Sequence, residues 1–307
     1  MLRTTSGEVD VNMLADTVAT RVAYEMGLSA NKKQPCILFL NGEYWGIYYI
    51  SQNKNVEFFE DYYGLEKKEI QIVKYDSFNE SRSYAGENSR EDFIKVVEFV
   101  KNNDMSNQIV YEQVQQMMDL NNFCDYLYLN LFFWNTDWPQ NNVMVWRSRA
   151  ADNRNKYADG KWRFYAYDFD DTMINWYENS IETRLNRDTD VGCLFQGLME
   201  NSEFSRMFVE GFQERLDSVF LPETLQNILH EENTKIYDEL PRFFLRWQIQ
   251  YKDEYIKKCL EKGEDLNTSV PNASEEYYKK QMESTIDFLK ERRGFLEQEF
   301  KELKYKK

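Results

Sequence analysis

Two acidic positions, separated by a pair of apolar runs, are the residues of this chain best suited to chemistry. Asp137 is followed five positions later by Asn142, and Asp168 opens the tripeptide Asp168-Phe169-Asp170. Phosphoryl transfer uses such a set. One carboxylate orients or deprotonates the attacking hydroxyl, while an amide oxygen and a second carboxylate hold the Mg²⁺ that neutralises the transferred phosphate. The D-x-x-x-x-N spacing is that of the protein-kinase catalytic loop, and Asp168 stands where kinases carry D-F-G.

The segment between these acidic positions predicts the hairpin that would bring them together. Residues 143–146 and 161–167 have the β-branched and aromatic composition of strands, and a charged loop at 147–160 joins them. A hairpin returns the end of its second strand to the start of its first, so Asp168 is expected close to Asn142. The alternative is a hairpin whose Asp and Asn residues only form turns.

The composition of the 307-residue chain indicates an acidic globular protein. Hydrophobic residues make up 42% and charged residues 30%, and 38 basic against 53 acidic residues give a net charge of −15. This balance argues against binding of nucleic acid or of an anionic membrane surface through bulk charge. No apolar run reaches the roughly 18 residues of a transmembrane helix, so no membrane span is predicted.

The histidine and cysteine content excludes several classes of site. The single histidine, His230, lies in a stretch of helical spacing, where a partly exposed position is expected. Ser-His-Asp and Cys-His catalysis and histidine-based zinc sites are therefore excluded. The four cysteines, Cys36, Cys124, Cys193 and Cys259, are far apart and form no C-x-x-C pair, so no disulfide framework is predicted.

The first 88 residues carry most of the strand signals. Apolar residues at helical spacing over 12–26 precede a hairpin centred on Asn41-Gly42, in which Gly46 indicates a bulge or a close backbone approach. A short helix at 54–63, a strand at 69–74 and a polar loop at 77–88 are predicted to follow.

The rest of the chain is predicted to be mainly helical. Helices are expected at 89–102, 108–118 and 119–134, and the last is apolar enough to be a buried helix that leads directly into the Asp137 loop. Five further helices are expected, at 191–199, 202–220, 222–238, 241–263 and 274–305. The predicted class is α+β, with the candidate site, residues 132–172, at the junction of a strand-bearing part and a helical part.

Three segments of the chain, in this order, resemble the CotH kinase family, which is named for a bacterial spore-coat protein. They are NGEYWGIYYI at 41–50, WNTDWPQNNVMVWR at 134–147 and GKWRFYAYDFDDTM at 160–173. The resemblance extends more loosely from about Asn12 to the C-terminal helix, where residues 288–293 are also similar to the family.

This resemblance implies an atypical protein-kinase-like fold that binds ATP with Mg²⁺ or Mn²⁺ and phosphorylates Ser or Thr of a surface or coat protein. It implies one domain over 1–307, with a small, shortened strand-rich part at 1–88 and a larger helical part at 89–307. It also implies an extracytoplasmic location: secreted, at the cell surface or in the spore coat. The first six residues lack the apolar core of a signal peptide, so a leader is expected to be absent from this sequence.

The resemblance also assigns roles to individual residues. Asp137 matches the catalytic aspartate. Asn142 matches the metal-binding asparagine, with Asn141 as the next candidate. Asp168 matches the metal-binding aspartate, and Asp170 is expected close enough to share the metal.

The chain departs from the family pattern after the hairpin. Gln52 stands where the family carries a glutamate and Asn55 where it carries an aspartate, and a glutamine cannot pair with a phosphate-binding lysine. No G-x-G-x-x-G loop is present. Lys74 and Lys54 are the candidates for contact with the nucleotide phosphates, although an ordinary surface position is the alternative for both.

Three functions follow from these observations. The leading one is a metal-dependent protein kinase with Asp137 as base and Asn142 and Asp168 at the metal. The second is a kinase-like surface protein that binds a partner without catalysis, as Gln52 and the missing glycine-rich loop indicate. The third is a metal-dependent hydrolase that uses the same carboxylates on water.

A loop that recognises the acceptor is expected after Asp170, in the region 174–190. Arg184, Arg187 and Asp188 lie in this region, and their polar side chains are predicted to be exposed.

Overall fold

The computed structural model describes residues 1–4, 13–77, 80–185, 189–247 and 275–305. Within these ranges the protein has the predicted α+β fold. Its strands form two sheets: β1 (Leu2–Thr4), β2 (Ser29–Ala30), β3 (Lys33–Leu40), β4 (Glu43–Ser51), β5 (Ile70–Ser77), β6 (Glu80–Ala85), β7 (Val143–Ser148) and β8 (Arg163–Ala166).

The smaller sheet has the antiparallel order β1-β4-β3 and contains the predicted hairpin. Asn41 and Gly42 both have positive φ, 52° and 83°, which the two-residue turn requires. The β3–β4 register shifts at Leu38/Phe39, opposite Gly46. A Cβ atom on Gly46 would lie 2.7 Å from the ring of Phe243, so both the predicted bulge and the predicted close approach are confirmed.

The larger sheet has the order β2-β8-β7-β5-β6 and holds the predicted site hairpin. Strands β7 and β8 pair antiparallel, with Val145 opposite Phe164. Strand β5 pairs with β7, and β2 lies parallel to β8. This sheet therefore joins strands from both sides of residue 88.

Strand β6 corrects the prediction of a polar loop at 77–88. It pairs antiparallel with β5, with Lys74 opposite Arg82. Polar residues such as Ser81, Arg82 and Ser83 gave no strand signal because β6 is an edge strand and four of its six residues are exposed, so its side chains need not be apolar.

The helices largely match their predicted positions. They are α1 (Ala15–Glu25), α2 (Val56–Tyr63), α3 (Ser89–Asn102), α4 (Gln108–Met117), α5 (Leu120–Phe133), α6 (Asp190–Leu198), α7 (Ser202–Leu216), α8 (Pro222–Thr234), the helical residues 240–247 (α9) and α10 (Glu275–Tyr305). The rest of the helix predicted at 241–263 lies outside the described residues, as does Cys259.

Helix α5 is the centre of the core, as its apolar sequence predicted. Eleven of its fourteen residues are buried, among them Phe123, Leu127 and Phe132. Burying each such side chain stabilises the folded protein by roughly 1.5–3 kcal/mol. The packing of α5 therefore fixes the direction in which the chain leaves the helix and enters the site. Cys36, Cys124 and Cys193 are free thiols, and His230 is exposed. Among the described helices, none is long and apolar enough to cross a membrane.

Candidate active site

The loop that follows α5 holds Asp137 between two amides. Helix α5 ends at Trp134, whose left-handed backbone (φ 50°) turns the chain out of the helix. The Nδ2 atoms of Asn141 and Asn142 donate to the two carboxylate oxygens of Asp137, at 2.6 and 2.9 Å. The carboxylate is therefore fixed in orientation, while each oxygen keeps a lone pair for a further donor. The amide oxygens of the two asparagines are not used by these bonds.

The Asp168 segment lies against this loop. Backbone hydrogen bonds from Thr136 N to Asp171 O (3.1 Å) and from Met173 N to Phe133 O (2.9 Å) join the two segments. Asp168 has a left-handed backbone (φ 63°), and Phe169 is buried. The structure thus brings the Asp137 loop and the Asp168 tripeptide together at the end of the β7–β8 hairpin.

A buried ion pair behind the tripeptide was not predicted from the sequence. The Nζ of Lys33, at the start of β3, pairs with Oδ2 of Asp16 in α1. The other oxygen of Asp16 accepts from Phe169 N at 3.1 Å and from Thr20 Oγ1 at 3.2 Å. Asp16 is 2% exposed. A lysine–carboxylate pair, which Gln52 cannot form, therefore lies directly beside the Asp168 segment.

A weak signal for this pair was present in the sequence. Helix α1 is buried on nearly all sides, and Asp16 and Arg21 are its only charged residues before Glu25. A carboxylate inside such a helix needs a partner. The sequence alone could not identify that partner, because two adjacent lysines, Lys32 and Lys33, stand before the apolar residues of β3 and either could pair with Asp16.

Three further cations surround Asp168. Arg3 Nη2 donates to Asp168 Oδ1 at 2.9 Å. The negative charge of Asp168 acts on the pKa of Lys54 and on that of Lys74, the two predicted phosphate ligands, in the raising direction. These cations come from β1, from the turn before α2 and from β5, and among the residues that the structure describes only Arg3 is in direct contact with the Asp168 carboxylate.

The two lysines lie over aromatic rings. The Lys54 ammonium is 3.5 Å from the ring centre of Tyr167, and that of Lys74 is 3.8 Å from the ring centre of Tyr84. Burial lowers the pKa of Lys54 to about 7, although Asp168 acts in the opposite direction and the neighbouring cations add to the lowering. Burial also lowers the pKa of Lys74. An anionic partner would stabilise the charged form of both ammonium groups.

The acidic groups of the site suit a divalent metal whose coordination shell is completed by phosphate oxygens. Burial, followed by the charge of Asp168, raises the pKa of Asp170, so the two carboxylates lie close enough to repel each other. Among the described residues, no group of three or more His, Cys, Asp and Glu side chains could hold a metal alone. Mg²⁺ characteristically takes one or two carboxylates together with substrate phosphates and water, which fits Asp168 and Asp170 with the amide oxygen of Asn142.

The two residues that depart from the family pattern have structural roles. Gln52 is exposed, and its side-chain oxygen accepts from Lys32 N at 3.2 Å. Asn55 caps α2 by accepting from Phe58 N. Neither side chain carries a charge, and the carboxylate that pairs with a lysine beside Phe169 is that of Asp16, in α1.

The predicted exposure of Arg184 is wrong. Arg184 is 6% exposed, and its Nη1 donates to the carbonyl of Thr136 at 2.8 Å. It is buried because the turn at 181–185 packs against the Asp137 loop. Arg187 and Asp188 lie outside the described residues.

Comparison with protein families gives a match that covers most of the chain. The profile described as CotH kinase protein matches residues 8–296, nearly the whole chain. A search of curated proteins found no match.

Proposed function

The chain belongs to the CotH kinase family, and on this basis we propose that it is a metal-dependent kinase that transfers the γ-phosphate of ATP to Ser or Thr of a protein acceptor. The observation that carries the proposal is the buried Lys33–Asp16 pair. It contacts the amide of Phe169, next to Asp168. Kinases require a lysine–carboxylate pair and a metal-binding aspartate in place together.

Asp137 would act on the acceptor hydroxyl. The hydroxyl oxygen forms a bond to the γ-phosphorus, the bond from that phosphorus to the bridging oxygen of ADP breaks, and the hydroxyl proton passes to Asp137. The amides of Asn141 and Asn142 hold the Asp137 carboxylate in a fixed orientation for this contact. Such positioned proton transfer contributes typically 10²–10⁴-fold to a rate.

The cations around Asp168 would bind the triphosphate. Lys54 and Lys74 are partly buried, and their partial removal from water would strengthen the attraction of their ammonium groups to phosphate oxygens. Asp168, Asp170 and Asn142 would hold Mg²⁺ or Mn²⁺, which supplies neutralisation of the charge on the phosphates. Arg3 would have to share or release Asp168 when the metal binds.

We propose the acceptor and the location on the basis of the family resemblance alone. A kinase-like family implies a protein substrate, and we propose a surface or coat protein as that acceptor. The corresponding location is extracytoplasmic.

The Arg3–Asp168 ion pair favours a second candidate function. Arg3 occupies one oxygen of the carboxylate that a metal would need. If this pair persists, the protein is a kinase-like scaffold that binds a partner without phosphoryl transfer.

Titration of ATP with and without Mg²⁺ or Mn²⁺ distinguishes these functions. For the kinase we expect metal-dependent binding that is lost in Asp168→Ala. In Asp137→Asn, binding should persist while transfer to Ser/Thr falls by about 10²–10⁴-fold. Asp152→Asn, a change at an exposed aspartate of the β7–β8 loop paired with Arg154, is the control and should change neither quantity.

Absence of metal-dependent ATP binding in the wild type would overturn the kinase proposal and support the scaffold. ATP binding with phosphate release but no transfer to any protein would instead indicate the hydrolase. Unchanged transfer in Asp137→Asn would remove Asp137 from the mechanism.

A further inference from the structure

Arg292, in the long helix α10, is a fully buried cation that the proposed chemistry does not use. An arginine has five N–H donors, and here each has an acceptor. Nε donates to Phe132 O (3.0 Å), Nη1 to Trp176 O and Glu178 O (both 2.7 Å), and Nη2 to Leu131 O (2.9 Å) and Ser180 Oγ (2.8 Å).

These acceptors belong to the two segments that carry the site. Leu131 and Phe132 lie in the last turn of α5, where helix carbonyls lack full partners and favour a cation. The carbonyl of Leu131 also accepts from Trp134 N at 3.3 Å. Four residues separate Phe132 from Asp137. The other three acceptors lie at 176–180, in the segment that follows the Asp168 tripeptide. Arg292 therefore connects α10 to both sides of the active site at once.

Packing alone does not account for an arginine at this position. Four of its five acceptors are neutral backbone carbonyls, and burial lowers the pKa of Arg292 to about 10, although Glu299 and Glu178 act in the opposite direction. A buried charge of this kind is often less favourable than an apolar side chain of equal volume. An apolar residue, however, would take the guanidinium donors away from the carbonyls of Phe132, Trp176 and Glu178, and would leave that of Leu131 with Trp134 N alone.

We propose that Arg292 is a positioning residue for the active site. It holds the segment after Asp170 against the end of α5, and the backbone bonds Met173 N to Phe133 O and Thr136 N to Asp171 O extend that alignment to the catalytic loop. The relative placement of Asp137 and Asp168 therefore depends on the five bonds of one guanidinium. The catalytic consequence rests on the proposed function, whereas the alignment of the two segments does not.

Hydrogen exchange of the full chain tests the alignment without any assay of activity. We expect Arg292→Ala to raise amide exchange in peptides covering 131–137 and 171–180 by about tenfold or more, with little change elsewhere. Arg293→Ala is the matched control. Arg293 is the next residue of the same helix, but it is 25% exposed and pairs with Asp217 and Glu297. The control should leave exchange at 131–137 and 171–180 unchanged.

Guanidinium ion provides a rescue that a loss of general stability would not show. Added to Arg292→Ala at concentrations too low to unfold the protein, it should occupy the vacated site and restore protection at 171–180. An equal concentration of KCl should not restore it. In a protein with phosphotransfer activity, kcat should fall by about 10²-fold in Arg292→Ala and recover with guanidinium, while KM for ATP changes less.

Several outcomes would overturn the inference. They are unchanged exchange in Arg292→Ala, an equal rise over the whole chain, and protection that KCl restores as well as guanidinium. Should Arg292→Ala fail to fold, Ser180→Ala removes one of the five bonds and should give a smaller rise confined to the same peptides. If the wild type transfers no phosphate, the proposed function fails while the exchange result still decides the role of Arg292.

Discussion

The single residues that matter most at the site are charges removed from water. Asp16 is buried with Lys33, and the carboxylate gains two more donors from Phe169 and Thr20. The mutual attraction of the two ions and these two hydrogen bonds to Asp16 offset the desolvation of the pair. Removal of one partner should therefore be far more harmful than removal of both.

A double-mutant cycle on this pair measures that difference. Asp16→Asn and Lys33→Met should each lower the unfolding free energy by about 3–5 kcal/mol. The first variant leaves the charge of Lys33 buried without its partner, and the second leaves that of Asp16. The double variant should lose much less than the sum of the two. Urea unfolding gives these energies, with the exposed pair Asp152–Arg154 as the control cycle, expected near zero. Additive losses at Asp16 and Lys33 would contradict the coupling.

Lys54 should make stability depend on pH. Its pKa is about 7 in the folded protein against an ordinary 10.5, so the unfolded chain binds more protons between these values. Stability therefore rises with pH through this window, and the cost of the buried ammonium is fully present below pH 7. Lys54→Met should unfold at a higher temperature than the wild type at pH 6, and the difference should shrink as the pH approaches 10.

The control for this pH series is Lys68→Met, a change at a lysine that is 76% exposed. Its melting temperature should follow the wild type at every pH. A difference between Lys54→Met and the wild type that is the same at pH 6 and near pH 10 would mean that Lys54 does not titrate in this window.

The helices position the site through packing, and two helical glycines differ in how tightly their surroundings are packed. A Cβ on Gly197 of α6 would lie 2.6 Å from Cγ1 of Val100 in α3, whereas a Cβ on Gly294 of α10 would meet nothing within 4 Å. Alanine is a better helix former than glycine. The space available for the added Cβ atom therefore decides whether each Gly→Ala substitution stabilises or destabilises the protein.

We therefore expect opposite effects from the same change at these two positions. Gly294→Ala should stabilise the protein by about 0.5–1 kcal/mol, because it lowers the entropy of the unfolded chain. Gly197→Ala should destabilise it by about 1–3 kcal/mol, because α3 and α6 must move apart. Denaturation midpoints measure both. If Gly197→Ala stabilised the protein instead, α3 and α6 would be able to move apart at little energetic cost.

The molecule as a whole is tied together by its larger sheet. Strands β2, β5 and β6 precede residue 88, and they form one sheet with the β7–β8 hairpin that precedes Asp168. The strand-rich part and the helical part therefore share hydrogen bonds and core residues, and neither is complete without the other.

This architecture predicts a single unfolding transition. Denaturation followed by tryptophan fluorescence and by far-UV circular dichroism should give coincident midpoints, because Trp146, in β7 of the shared sheet, and Trp162, directly before β8, are both buried. ATP with Mg²⁺ at about 100 times its Kd should shift the whole transition by roughly 2.7 kcal/mol. Two separate midpoints would show that the two parts unfold independently.

The sequence alone determined the parts of this protein that depend on neighbours along the chain. The periodicity of α5, the Asn-Gly turn and the spacing from Asp137 to Asn142 and Asp168 are local patterns, and the described helices and the hairpin follow them. The amide contacts of Asp137 span only four and five positions, so they too were within reach of the sequence.

Only the tertiary structure decided which distant residues complete the site. Asp16 meets Phe169 across 153 positions, Arg3 meets Asp168 across 165, and Arg292 meets Phe132 across 160. No local preference specifies such pairs, because each depends on how whole elements pack and on which buried charge finds a partner there. Strand β6 was missed for the same reason: its polar residues form a strand only because β5 lies beside them.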